Sequence, residues 1–148
     1  MIQQGFYVGK ERKWYVMCTY DLRKERDFEE LHKTLAKFHF HTDAIAEVEK
    51  TLRKPNTGFT YTDFEDGVTF VFVSHSTSAE QMYDTIQHEL KHITEHISEY
   101  WRIDARSEEA AYLQGTIAKK MFPAVVAAVC PCCNSNSNNS NKGEWKKF

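Results

Sequence analysis

Between Ala79 and Trp101 apolar side chains return every three or four residues, and Met82, Ile86, Leu90, Ile93, Ile97 and Tyr100 fall on one stripe. That period is helical, and a helix this long with a single apolar face is stable only when another element covers the stripe. Ser78 or Thr77 supplies a cap, and Gln81, three residues after Ser78, completes a capping-box pattern. The rest of the chain must build the cover for this helix.

Candidates for that cover lie upstream. Trp14 to Tyr20 reads as a strand, and Phe59 to Phe64 and Val68 to Ser74 are rich in aromatic and β-branched residues around the turn Glu65-Asp66-Gly67. The last two predict an antiparallel hairpin. Phe28, Leu31, Leu35 and Phe38, then Ile45, Val48 and Leu52, predict two helices on either side of FHFHTD, with Asp43 capping the second and Pro55-Asn56-Thr57-Gly58 ending it. Downstream, Ser107 can cap a helix from Glu108 to about Phe122, close to Pro123, with a short apolar piece at Ala124 to Val129. The expected fold is α+β, a small antiparallel sheet packed against the long helix and the helix that follows it.

With 148 residues, 41% of them hydrophobic and 14% aromatic, the chain can bury one ordinary core, which predicts a single domain over 1–129. Residues 130–148 turn Asn/Ser-rich and predict a flexible tail. A net charge of −2 with both signs mixed leaves no footprint for nucleic acid or an anionic membrane. No apolar run approaches the roughly 20 residues of a bilayer span, and Met1 to Lys10 lacks an apolar signal segment, so the expected setting is cytoplasmic. Cys130, Cys132 and Cys133 crowd together while Cys18 stands alone, which is not a secreted disulfide framework. The CPCC stretch also lacks the partner pair of a closed structural zinc site.

Chemistry concentrates on the long helix. Residues 88 to 92 read His-Glu-Leu-Lys-His, the HExxH pattern. A spacing of four places both imidazoles on one side of a helix, one turn apart, where they can converge on one zinc ion. Glu89 beside them can take a proton from water attacking a carbonyl and pass it to the leaving amine. A solvated face decorated with two histidines would carry the same spacing, and the helical context with a hairpin upstream favours the site.

A catalytic zinc needs a third protein ligand. His96 continues the series, yet at 1.5 Å per residue it lies about 12 Å from His88 along the axis, so the three histidines cannot meet on one ion. Glu108 and Glu109 begin the next helix, with fifteen residues between His92 and Glu108. Helical geometry favours Glu108, which lies opposite the apolar face of Ala110, Leu113, Ile117 and Met121 and shares a side with Ala111 and Gly115, small enough to allow close helix approach. Both acids also suit an ordinary helix N-terminus. His39 and His41 flank one aromatic, but beyond Asp43 no acid accompanies them, which argues against a second metal site there.

The strand pair, the HELKH helix and the SEEAAYLQG helix resemble the minimal zincin metallopeptidases, particularly small gluzincin-like proteins of phage and bacterial genomes in which an ExxAY-like segment follows the active helix. The resemblance covers Phe59 to about Phe122. It implies a zincin-like fold, His88 and His92 as zinc ligands, Glu89 as general base and Glu108 as the acidic ligand, with a protein or peptide as substrate. In such sites an edge strand upstream of the active helix pairs with extended substrate, and Val68 to Val73 is the candidate, although its Val/Phe-rich content also suits a sheet centre. Tyr112 and His75 are candidate donors to a developing oxyanion. The alternative to a peptidase is a zincin-fold binding or structural protein whose zinc site is silent, with Asp104, His96 or a tail cysteine completing it.

Overall fold

Side chains on a strand alternate between the two faces of a sheet, and here both faces are covered. In the computed structural model, which describes residues 1–11 and 13–130, the elements run β1 (Ile2–Val8), β2 (Trp14–Leu22), α1 (Glu25–Lys37), α2 (Thr42–Leu52), β3 (Gly58–Asp63), β4 (Val68–Ser74), α3 (Ala79–Trp101) and α4 (Glu108–Val129). Trp14, Val16, Cys18 and Tyr20 of β2, with Val71 and Val73 of β4, enter a core shared with α3 and α4. Phe70 and Phe72, one residue out of phase, enter a second core with Phe28, Leu31 and Leu35 of α1 and Ile45, Val48 and Leu52 of α2. One sheet thus lies between two helical layers, in agreement with the expected α+β class.

The strand order is β1-β2-β4-β3. The β1/β2 and β3/β4 pairs are antiparallel, whereas β2 and β4 are parallel. The sheet is therefore mixed, which corrects the expectation of an antiparallel one. Its cause is the long connection through α1 and α2, since parallel neighbours need a crossover that returns the chain to the same end of the sheet. The hairpin forms as expected, but β4 is inserted at the centre and β3 is left at the edge. Val68 to Val73 is accordingly no edge strand. Its Val and Phe run, interrupted only by the buried Thr69, reflects burial on both faces.

The stripe that predicted α3 is buried from Met82 to Ile97, whereas Tyr100, expected on it, is 52% exposed, and Ser78 Oγ accepts from the Gln81 N–H at 3.2 Å. Two boundaries differ from expectation. The N-cap of α2 is His41, and Asp43 lies inside the first turn, where its charge meets the positive end of the helix. Helix α4 does not stop near Phe122 but continues through Pro123 to Val129. Ala124, Val125 and Ala128 extend the buried face begun by Leu113, Ile117 and Met121, and this burial offsets the hydrogen bond that proline cannot donate. Strand β1 adds to the expected elements, and Gln3, Gln4 and Gly5 are weak strand formers whose strand depends on pairing. Its pairing with β2 runs from Ile2 to Val8. Among the described residues no helix is long and apolar enough to cross a membrane. The Asn/Ser-rich segment, with Cys132 and Cys133, lies outside the described residues.

Candidate active site on the long helix

Helix α3 packs against β3 and β4 and also against α4, which on the same face of the sheet packs on β1 at the opposite edge. Taking about 100° per residue, His96 lies about 20° from Glu89 around the axis, His92 about 60° and His88 about 100°. Thr94 and Ser98, both buried, lie about 140° and 180° away on the opposite flank. Glu89 and His96 meet Thr60 and Thr62 of β3, and His92 and His88 lie progressively farther round the same flank.

His88 and His92 bring their Nε2 atoms to 3.1 Å, with ring centroids 4.8 Å apart at 73°. His88 is exposed and His92 half-buried. Two imidazole nitrogens converging across one turn can supply two of the three protein ligands of a catalytic zinc. Glu89, between them in sequence, is only 3% exposed. Its Oε2 accepts from Thr60 Oγ1 at 2.6 Å. Gly58 makes room for it, because a Cβ there would stand 2.5 Å from Oε1 and 2.6 Å from Cγ of Glu89. Burying a carboxylate is costly without a hydrogen bond, and β3 supplies both the bond and the space.

His96 sits farther along the same edge. Its Nδ1 is 2.8 Å from Thr62 Oγ1, and its ring centroid is 6.3 Å from that of His92. Burial pushes its pKa down and the neighbouring His92 pushes the same way, against the weaker pull of Glu95 and Glu99.

The acids of the next helix stand elsewhere. Glu108 and Glu109 are exposed in the first turn of α4, where Ser107 Oγ accepts from the Ala110 N–H at 3.2 Å. Ala111 and Gly115, expected to let α4 approach α3, are exposed, and a Cβ at Gly115 would meet nothing within 4 Å. The side of α4 that carries Glu108 thus faces away from the helix contact. Among the described residues, the His, Cys, Asp and Glu side chains whose ligand atoms gather as a trio within 4.8 Å are His39, Asp63 and Asp66. His88 and His92 are joined by neither Glu108 nor Glu109 in such a trio. Tyr112 on α4 is 74% exposed. His75 follows β4, its N–H donating to Leu22 O at 3.3 Å and its carbonyl accepting from the Asn56 N–H at 3.0 Å. Asp104 organises the α3–α4 turn, accepting at Oδ1 from the Arg106 N–H at 3.0 Å.

The His39 group was not legible in the local sequence, because Asp63 and Asp66 come from the β3–β4 hairpin. His39 occupies the left-handed region with φ 64°, and its Nδ1 is 3.0 Å from Asp63 Oδ2. Asp63 Oδ1 accepts from the N–H groups of Glu65 and Asp66 at 3.0 and 3.2 Å. The hydrogen bond and charge of Asp63 raise the His39 pKa. Burial alone would raise Asp63, but His39 and the two amides outweigh it and hold the carboxyl below its ordinary value. Both oxygens of Asp63 are already used, so this group pins the hairpin turn to the α1–α2 connection.

No protein-family model, curated protein or solved structure matches this chain. The fold and the site together describe an α+β protein whose longest helix carries a converging histidine pair and a buried glutamate at a sheet edge.

Proposed function

We propose that the protein is a zinc-dependent peptidase of zincin type that hydrolyses a protein or peptide substrate. The observation that carries this reading is the His88–His92 pair, with Nε2 atoms 3.1 Å apart, next to a buried Glu89 held by Thr60. His88 and His92 would hold the metal, with Glu108 assigned as third ligand by the resemblance. When bound, zinc supplies a Lewis acid that polarises a carbonyl. Glu89 accepts the proton of the attacking water and delivers it to the leaving nitrogen. Thr60 orients the carboxylate, and Gly58 keeps the strand from displacing it.

The test combines metal content with hydrolysis. Elemental analysis of the zinc-replete protein is expected to give near-stoichiometric zinc that survives Glu89→Gln and falls with His88→Ala and His92→Ala. Glu108→Ala and Glu109→Ala name the acid that completes the set. Cleavage of an unstructured protein substrate should fall by about 10²- to 10⁴-fold in Glu89→Gln. Absence of zinc under replete conditions would overturn the proposal.

The separation of Glu108 from the histidine pair favours a second reading, a zinc-binding protein without catalysis. Zinc retained by the wild type, together with cleavage no faster than that of Glu89→Gln, would select it.

A further inference from the structure

A hydrogen-bond chain leads from the core to the flank of this site. Trp14 Nε1 donates to Thr69 Oγ1 at 2.9 Å. Thr69 Oγ1 lies 2.9 Å from Thr62 Oγ1, and Thr62 Oγ1 lies 2.8 Å from His96 Nδ1. Trp14, Thr69 and Thr62 are all buried. An indole nitrogen can only donate, so Thr69 must accept from it. The hydroxyl proton of Thr69 then needs an acceptor, because buried polar groups are seldom left unpaired, and Thr62 Oγ1 provides it. Thr62 accepts in turn, and its own proton is directed at His96 Nδ1. A ring nitrogen that accepts carries no proton, which places the imidazole proton on Nε2.

We propose that this chain locks His96 as the neutral Nε2–H tautomer, making it a hydrogen-bond donor to a carbonyl oxygen of the bound peptide beside the scissile bond, and not a metal ligand. With Nδ1 engaged by Thr62 and Nε2 protonated, the ring has no lone pair to give a metal. Thr62 and Thr69 are positioning residues that act through His96. A donor held in place before substrate arrives needs no reorganisation during reaction. The tautomer assignment stands on the hydrogen bonds alone, while the role toward substrate rests on the peptidase reading.

Nitrogen-15 NMR of the imidazoles in metal-free protein reads the tautomer directly. His96 is expected to show a protonated Nε2, and Thr62→Val, nearly isosteric, should shift it toward a tautomer mixture. A protonated Nδ1 in the wild type overturns the proposal, as does a Thr62→Val spectrum unchanged at His96. In the zinc-replete protein, His96→Gln should keep the wild-type zinc content while His92→Ala loses it. Zinc loss in His96→Gln equal to that in His92→Ala would also overturn it. His96→Ala should lower kcat/KM by about 100-fold, and His96→Gln, which keeps a donor, should recover part of that loss; an Ala variant as active as the wild type removes the substrate role. If the wild type binds no zinc, the peptidase reading and with it the role toward substrate fail, and the NMR result still decides the tautomer.

Discussion

His88 and His92 meet across one helical turn with 3.1 Å between their Nε2 atoms, close enough that one cation can engage both. A ligand that binds only the folded state stabilises it by mass action, by about 2.7 kcal/mol at roughly 100 times its dissociation constant. For a chain of this size that corresponds to a rise in Tm of roughly 5–10 °C on adding zinc. His92→Ala should abolish the shift. Equal Tm values with and without zinc in the wild type would show that the pair holds no metal.

Gly58 and Glu89 share one space. Because an added Cβ would lie 2.5 Å from Oε1 and 2.6 Å from Cγ, Gly58→Ala should destabilise the protein by about 1–3 kcal/mol, as overpacking does. Glu89→Ala removes the atoms that Cβ meets. In a double-mutant cycle the Gly58→Ala penalty should therefore shrink on the Glu89→Ala background. Additive penalties in urea denaturation would show that strand and glutamate do not touch.

The His39–Asp63 pair links stability to pH. A histidine with a raised folded-state pKa contributes stability below its ordinary 6.5, lost as pH rises through the raised value. A carboxyl with a lowered pKa contributes above its ordinary 3.8, lost as pH falls through the lowered value. Both contributions are full between roughly pH 4 and 6.5. His39→Asn, which tolerates the left-handed backbone, should cost more stability at pH 5 than at pH 9. In the wild type, NMR titration should place His39 above 6.5, and Asp63→Asn should bring it down. A stability cost equal at both pH values would rule out the linkage.

Arg102 closes α3 in the left-handed conformation, φ 56°, while the Ile103 N–H reaches Ser98 O at 2.8 Å. A residue with a Cβ pays roughly 1–2 kcal/mol there, and glycine returns part of that gain through its larger unfolded-state entropy. Arg102→Gly should therefore stabilise the protein by up to about 1 kcal/mol, a Tm increase of roughly 2–4 °C. A lower Tm would mean that the arginine side chain holds the turn by contacts outweighing its strain.

What could be read along the chain was what repeats locally. The stripe from Met82 to Ile97 predicted α3, the i,i+4 spacing predicted that His88 and His92 would meet, and Glu65-Asp66-Gly67 predicted the β3–β4 hairpin, because helical period and turn chemistry are properties of neighbouring residues. Other relationships depend on pairings between distant segments. The α1–α2 crossover set β4 beside β2 and left β3, which carries Gly58 and Thr60 against the glutamate, as the edge strand in place of Val68 to Val73. Packing of α4 on α3 and β1 turned the side that carries Glu108 toward solvent, and sheet register aligned Trp14, Thr69 and Thr62 behind His96. The physical reason is that burial is collective: which strand takes the centre and which helix flank is covered follows from how all the apolar faces can be buried at once.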